Sequence, residues 1–238
     1  MESRAPFSTL VRAATAATAI TLIALAVAPP VAARTAPSRA DATVASSLAE
    51  QAGLQPPGVT ALQRRLAALG YLSGNGIDGS YGPQTYSAVI AFQKWELLPR
   101  DGIAGPVTRS ALGTARRPTP RTAGTGAWVE ILLDRQVLLL IRAGRVERVS
   151  HVSTGRKGFA TPRGKYAVRL KMRRSWSKQY RVWLPWASYF VRGIAIHQSD
   201  VVPVRPVSHG CVRVTRFDAA WLYRRTPVGM RVRVLART

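Results

Sequence analysis

The only cysteine of the chain, Cys211, lies close in sequence to two of its three histidines, His197 and His209. A thiol attacks an acyl carbon as the thiolate. Because the ordinary pKa of cysteine is about 8.5, it needs an imidazole or a local positive potential to react at neutral pH. Gly210 lets the backbone turn tightly, so that its N–H and that of Cys211 can face a developing oxyanion. This pattern predicts a cysteine nucleophile with a histidine base.

Two other interpretations of these side chains stay open. A lone cysteine often packs as a small buried hydrophobe, and a neighbouring histidine can simply bind a backbone carbonyl. Zinc would use the same side chains, but no further cysteine, histidine or nearby carboxylate completes a set of four ligands. The sequence therefore predicts no metal site. His151 lies outside this group and is interpreted as structural.

The first 33 residues have the pattern of a signal peptide. A basic start with Arg4 and Arg12 precedes an uncharged segment, residues 13–28, and small residues follow at 31–33. The uncharged segment is shorter than the roughly 20 apolar residues of a membrane-spanning helix. We expect cleavage after residue 33, a secreted protein that works at the cell wall, and no membrane anchor after cleavage.

Positive charge is concentrated in the second half of the chain. The net charge is +24, and residues 127–238 carry 23 Lys and Arg against five Asp and Glu. Such a surplus predicts an anionic partner. For an exported protein we expect wall polymers that bear carboxylates and phosphates. Nucleic acid is not expected, because no recognition motif accompanies the charge.

Two stretches without regular patterning divide the chain after the signal peptide. Residues 34–58, rich in Ala, Ser, Pro and Gln, are interpreted as a flexible linker, and residues 113–126, with three Gly and two Pro, as a second linker. Between them, helical spacing of apolar residues from 59 to 69 indicates a helix. A compact helical unit is therefore predicted over residues 59–112.

A turn motif, D-G-x-x-G-P-x-T, occurs twice in this unit, at residues 78–85 and 101–108. Its glycines suit turns, and Pro83 and Pro106 suit the first helical position, where no backbone N–H is needed. Residues 59–112 resemble the peptidoglycan-binding domain type 1 family, a small three-helix module. The resemblance implies wall binding without catalysis.

The pattern of residues 127–238 is typical of a mainly β module with one or two helices. Its first predicted strands are short apolar runs separated by turn residues, at 128–133, 137–142 and 146–153. Alternation over residues 166–173 predicts a strand with its cations on one face. Thr215 and Asp218 are predicted to cap a helix, and residues 231–235 to form a closing strand.

Residues 127–236 resemble the L,D-transpeptidase catalytic domain family. The family signature is a histidine, a variable loop and [ST]-H-G-C-x-[NR], matched here by His197 and by residues 208–213 (SHGCVR). Residues 153–155 (STG) and 161–164 (TPRG) match two further turns of the family in order and spacing. The resemblance implies a mainly β, sandwich or barrel-like domain.

The resemblance also implies roles for individual residues. Cys211 is the acylated nucleophile and His197 the general base, while His209 orients or polarises the site. Ser208 and Gly210 shape the oxyanion pocket.

The resemblance also bears on four residues in or around the motif. Arg213 is a candidate for holding a peptide carboxylate, since a guanidinium binds such groups bidentately, and a structural ion pair is the alternative. Tyr189, with Phe190, lines the donor cleft or belongs to the core. Gln198 stands where the family commonly has Gly or Ser, and its backbone carbonyl could orient His197.

The implied reaction is two acyl transfers. Cys211 attacks the L,D peptide bond of a peptidoglycan tetrapeptide stem, D-alanine leaves, and an amine of a neighbouring stem resolves the thioester into a crosslink. A thiolate, a base and oxyanion donors suffice, so no cofactor is expected. Two alternatives stay open: an L,D-carboxypeptidase, in which water replaces the amine, and a non-catalytic protein that binds the wall's glycan or anionic polymers.

Overall fold

A helical unit precedes a nine-stranded sheet in the computed structural model, which describes residues 47, 49–50 and 52–236. The predicted signal peptide and most of the first predicted linker lie outside the described residues. The helices are α1 (Pro56–Leu69), α2 (Pro83–Glu96) and α3 (Pro106–Thr114), with a 3-10 turn (Gly74–Gly76) between the first two, and α4 (Arg216–Arg225) near the end of the chain. No helix in the described part of the chain has the length and apolar character needed to cross a bilayer.

Each copy of the duplicated turn motif binds one buried glutamine from the helix that precedes it. Gln63, in α1, donates from Nε2 to Asp78 Oδ1 at 2.7 Å and to Thr85 Oγ1 at 2.9 Å. Gln93, in α2, makes the same pair of bonds to the Asp and Thr of residues 101–108, at 2.7 and 3.1 Å. Both glutamines are buried. The repeated polar residues therefore tie each turn to the preceding helix.

The sheet is mainly antiparallel, with strand order β4-β9-β1-β2-β3-β8-β7-β6-β5. Its strands are β1 (Ala127–Leu132), β2 (Val137–Arg142), β3 (Arg145–Ser153), β4 (Gly164–Ala167), β5 (Leu170–Ser177), β6 (Val182–Val191), β7 (Ile194–Gln198), β8 (Val212–Val214) and β9 (Arg231–Leu235). Parallel pairing occurs between β1 and β9 and between β7 and β8. The predicted meander and closing strand are confirmed, as is the mainly β class with an N-terminal helical unit.

Helices cover both faces of the first three strands. On one face Val137, Leu139 and Val149 pack into a core shared with the apolar side chains of α1, α2 and α3. On the other face Leu138 and Leu140 join a second core that includes apolar residues of α4. Because both faces are covered, the apolar run of β2 is continuous rather than alternating. The helical unit and the sheet thus share a hydrophobic core.

The second predicted linker is held in place by a buried carboxylate. Its first two residues belong to α3, and residues 115–126 have no helix or strand. Glu130, on β1, is fully buried and accepts hydrogen bonds from the backbone N–H groups of Arg121 and Thr122, at 2.8 and 3.0 Å, and from Trp128 Nε1 at 3.0 Å. These bonds fix the segment to the sheet that it precedes.

The single strand predicted over residues 166–173 is wrong. The chain leaves β4 at Ala167 and enters β5 at Leu170, and these strands lie at opposite edges of the sheet. Val168 N–H donates to Met230 O on one side of the break, and Arg169 N–H donates to Tyr189 O on the other. These two backbone bonds divide the segment between two strands, so the alternation does not belong to one strand.

The start of α4 at Arg216 agrees with the prediction, but its capping does not. Thr215 is the N-cap residue and makes no side-chain cap hydrogen bond. Asp218 instead pairs with Arg148 of β3, with 3.2 Å between Oδ1 and the guanidinium, in a buried ion pair. The carboxylate therefore docks the helix on the sheet rather than closing its first turn.

Candidate active site

The parallel strands β7 and β8 bring the predicted nucleophile and base to one face of the sheet. His197 is in register with Arg213, and Ile196 with Val212. Ile196 and Val212 face the buried core shared with α4. Because side chains alternate along a strand, His197 and Arg213 face the other side, and so does Cys211, which directly precedes β8.

A backbone carbonyl orients the imidazole of His197. Its Nδ1 lies 2.6 Å from Gln198 O, and since a carbonyl only accepts, Nδ1 carries the hydrogen. The tautomer leaves Nε2 with a free lone pair. Burial lowers the pKa of His197 to about 4, and the positive charge of Arg213 adds to this while the Gln198 carbonyl opposes it. His197 is therefore a neutral base at neutral pH.

Cys211 is half-buried at the start of β8. Its Sγ lies 4.0 Å from Gly193 O. Burial raises the pKa of the thiol, whereas a hydrogen bond with the Ala195 backbone and the charge of Arg213 lower it. At neutral pH the resting side chain is a thiol, so its reaction depends on a base.

Ser208 holds the turn that carries the cysteine. Its Oγ donates to Cys211 O at 2.5 Å and accepts from Gly210 N–H at 3.1 Å. Gly210 has φ +117°, which disfavours any side chain, and an added Cβ would lie 3.1 Å from Ile194 Cδ1. Because Gly210 N–H is used within the turn, the expectation that it faces an oxyanion is wrong for this conformation. Cys211 N–H is the remaining donor of the pair.

His209 lies in an aromatic cluster. Its ring stacks on Tyr180, with centroids 4.7 Å apart, and meets Phe159 edge-on at 4.8 Å. The charges of Arg156 and Arg213 help to lower the pKa of His209, after desolvation. No described hydrogen bond joins His209 to the cysteine or to the other histidine. Its contacts favour shaping the site over proton transfer.

Arg213 and Tyr189 both lie on the face that carries Cys211. Within residues 52–236, no carboxylate forms an ion pair with Arg213, so the structural ion pair considered for it is absent from the described contacts. Tyr189 is in register with Ala195 of β7 and its hydroxyl lies 2.7 Å from Ser175 Oγ. Phe190 faces the opposite core and is buried.

The two turn motifs noted in the sequence lie directly against the cysteine turn. Thr161 Oγ1 donates to Gly210 O at 2.6 Å and accepts from Gly155 N–H at 3.0 Å. A Cβ on Gly155 would come 1.9 Å from Phe159 O, so only glycine fits there. Sequence reasoning did not find Arg156, Phe159 or Tyr180, since no motif marks their contact with residues about 30 to 50 positions away.

The described residues also bear on metal binding. Across the described ranges, no group of three or more His, Cys, Asp or Glu side chains is placed to hold a metal ion. One sheet face instead carries a neutral base, a half-buried thiol and the cationic side chain of Arg213. Such an arrangement suits acyl transfer through sulfur.

Comparisons with known proteins agree with this site. Residues 126–234 match the L,D-transpeptidase catalytic domain, and residues 55–112 match a peptidoglycan binding domain. A crystal structure of the L,D-transpeptidase from Xylanimonas cellulosilytica is 41% identical, with a TM-score of 0.69, over 74% of this chain and 92% of that one. The crystal structure of an L,D-transpeptidase from Stackebrandtia nassauensis is 28% identical in sequence, with a TM-score of 0.50. The match covers 75% of this chain and 90% of that one.

A shorter similarity extends to wall amidases. The N-acetylmuramoyl-L-alanine amidase CwlL of Bacillus licheniformis is 45% identical over 69 residues, which are 28% of this chain and 19% of the amidase. The chain spans less than a quarter of the length of the two amidases that it matches, 23% and 19%. Of the crystallised part of the Xylanimonas enzyme, residues 123–326, the chain covers 92%. The chain therefore belongs to the L,D-transpeptidase family, with a peptidoglycan binding domain ahead of its catalytic domain.

Proposed function

We propose that the protein is an exported L,D-transpeptidase that crosslinks peptidoglycan through a thioester on Cys211. The observation that carries the proposal is the pairing of β7 with β8, which puts the thiol and a neutral, carbonyl-oriented His197 on one face. Family membership supports the reaction class. The peptidoglycan binding domain supports peptidoglycan as the partner.

In the first half-reaction, His197 Nε2 takes the proton of the thiol as sulfur attacks the carbonyl of the L,D bond. The tetrahedral oxyanion is stabilised by backbone N–H, for which Cys211 N–H is the candidate. When the intermediate collapses, the carbon–nitrogen bond breaks and the imidazolium returns its proton to the leaving D-alanine. An acyl thioester remains on the protein.

In the second half-reaction, an amine of a neighbouring stem attacks the thioester. His197 takes the amine proton and returns it to sulfur as the carbon–sulfur bond breaks. The products are a new amide and the free thiol, so no cofactor, oxidant or metal takes part. If water takes the place of the amine, the same residues act as an L,D-carboxypeptidase.

The cationic region fits an anionic wall. Between Glu147 and Asp200 the sequence holds twelve Lys and Arg and no Asp or Glu. Stem carboxylates and anionic wall polymers are partners of matching charge. Arg213, without a described carboxylate partner, is the candidate to hold a stem carboxylate beside His197.

A muropeptide assay tests the proposal. Purified tetrapeptide muropeptides are incubated with the wild type and with Cys211→Ala, and products are identified by mass. Crosslinked dimers with D-alanine release support transfer, and tripeptide alone supports hydrolysis. Release of D-alanine by folded Cys211→Ala would exclude the cysteine mechanism.

A non-catalytic wall-binding role is the second candidate, and the raised pKa of the half-buried thiol favours it. A carbapenem, which acylates reactive thiols through its β-lactam ring, separates the two roles. Stoichiometric acylation of Cys211 supports the enzyme. A thiol that stays unmodified while the protein sediments with wall sacculi supports the binding role.

A further inference from the structure

Lys94 is a fully buried lysine of the helical unit that reaches into the catalytic domain. It lies on α2 and is 0% exposed. Its Nζ lies 2.8 Å from Val152 O, 3.1 Å from Gln136 O and 2.7 Å from His151 Nδ1. All three partners belong to the sheet or its turns. A buried amine is rare unless its hydrogens are bound, and here each has a partner.

The hydrogen bonds of His151 have a defined direction. Its Nε2 lies 2.7 Å from Val202 O, and because a carbonyl only accepts, Nε2 carries the hydrogen. Burial lowers the pKa of His151 to about 3, so the ring is neutral and Nδ1 accepts from Lys94. A chain of donors therefore runs from Lys94 through His151 to Val202.

A second chain leaves Lys94 through Gln136. The Gln136 side chain donates to Thr154 Oγ1 at 2.7 Å and accepts from Thr154 N–H at 2.9 Å. Thr154 O in turn accepts the N–H groups of Val207 and Ser208, both at 3.0 Å. This chain ends at the residue whose hydroxyl holds Cys211.

Both chains end on the loop between His197 and Ser208. Val202 O is bound by His151, and Ser153 Oγ donates to Arg205 O at 2.7 Å. These side-chain donors add to the backbone bonds at the end of the loop, where Ser208 O accepts from Arg156 N–H and Ser208 forms an isolated β-bridge with Gly155. Lys94 is thus linked, through His151 and Gln136, to two of the groups that place this loop and the cysteine turn.

We propose that Lys94 is a positioning residue for the active site: from the peptidoglycan binding domain it fixes, through His151 and Gln136, the loop that sets Ser208 and Cys211. The proposal rests on the proposed function for its effect on rate, but not for its effect on the loop. It makes the binding domain a structural part of the catalytic centre rather than a tethered anchor.

Full-length Lys94→Met tests the proposal, because Met keeps most of the chain's volume and removes the donors. Arg117→Met is the matched control: Arg117 also joins the two domains, donating to Ala68 O at 2.5 Å and to Val146 O at 3.1 Å, but has no described contact with the loop. Two readouts are used, the rate of Cys211 acylation by a carbapenem and hydrogen exchange of the Val207 and Ser208 amides.

For Lys94→Met we expect acylation at least about 10-fold slower, since small misplacements of reacting groups have effects of this size. Amide exchange at Val207 and Ser208 should be faster. Arg117→Met should match the wild type in both readouts. Wild-type acylation and wild-type exchange in folded Lys94→Met would overturn the proposal. Faster exchange without any acylation of the wild type would instead leave the positioning intact and contradict the proposed function.

His151→Phe provides a second variant if Lys94→Met does not fold. An aromatic ring is kept, while the donor to Val202 O and the acceptor for Lys94 Nζ are both lost. We expect faster exchange in the 199–207 loop and slower acylation than in the wild type. Unchanged exchange and unchanged acylation in this variant would also overturn the proposal.

Discussion

His197 donates its Nδ1 hydrogen to the backbone carbonyl of Gln198, 2.6 Å away. This backbone carbonyl therefore orients the imidazole, as a carboxylate side chain does in many cysteine and serine enzymes. Because every residue type supplies a carbonyl, the side chain at this position is not needed for the orientation.

Replacement of Gln198 by alanine is accordingly expected to change D-alanine release by less than about threefold, whereas His197→Gln should lower it by about 100-fold or more. The measurement is kcat/KM on a tetrapeptide substrate, with circular dichroism to show that both variants fold. A large loss in Gln198→Ala would mean that the amide side chain, not the carbonyl, sets the base.

The pH dependence of acylation should follow the lowered pKa of His197. Burial keeps the imidazole neutral down to about pH 4, so the acid limb of the acylation rate should have its midpoint near 4. An imidazole with an ordinary pKa, about 6.5, would lose its rate two to three pH units earlier. Carbapenem acylation, followed by absorbance from pH 3.5 to 8, distinguishes the two, and a midpoint between 6 and 7 would contradict the buried neutral base.

The same burial predicts a change in stability with pH. Between about pH 4 and 6.5 the unfolded chain binds a proton at His197 that the folded chain does not. The free energy of unfolding should therefore fall as the pH drops through this range. Urea titrations give the free energy of unfolding of the wild type and of His197→Gln. The wild-type value minus the variant value should be larger at pH 6.5 than at pH 4.5.

Ser208→Ala should loosen the cysteine turn. The change removes the donor to Cys211 O and the acceptor for Gly210 N–H, and leaves two backbone groups in a buried turn without these partners. We expect a loss of about 1–3 kcal/mol in the free energy of unfolding, with slower acylation. Ser110→Ala, at an exposed position of α3 away from the cysteine turn, is a matched control that should show neither change.

Much of the site could be predicted because it is coded by contiguous residues. The SHGC, STG and TPRG turns can be recognised from their own residues. In the structure Ser208 and Thr161 both form a hydrogen bond with Gly210. The sequence did not predict that β7 and β8 pair, but it did identify His197, the histidine of this pair. Local sequence also defines the apolar strands, which gave the meander correctly.

The unpredicted features depend on contacts between residues far apart in the chain. Lys94 and His151 are 57 positions apart, and nothing near either one indicates the other. Gln63 and Gln93 lie outside the duplicated motif that they bind. The motif could therefore be found from the sequence, but the glutamines that explain it could not. Residues 166–173 alternate as one strand would, and only backbone bonds to Met230, next to β9, and to Tyr189 of β6 divide them between two strands.

The role of Gln63 can be tested on stability alone. Gln63→Leu keeps the side-chain size but removes the donor to Asp78 and Thr85 and the acceptor for the backbone N–H of Gly79. We expect a loss of about 2–4 kcal/mol, because several polar groups lose their partners in or near the core. Chemical denaturation measures it, with exposed Gln55→Leu as control, and equal stability would show that the turn closes without the glutamine.

Arg213 should influence Cys211 through its charge. It lies in register with His197, on the face that carries the thiol, and its positive charge lowers the pKa of Cys211. Removing the charge in Arg213→Met should raise that pKa, so that less thiolate is present at pH 7. Alkylation by uncharged iodoacetamide should slow about threefold to tenfold at this pH and recover at pH 10. Arg213→Lys keeps the charge and should react like the wild type, whereas equal slowing in both variants would assign the effect to guanidinium geometry rather than to charge.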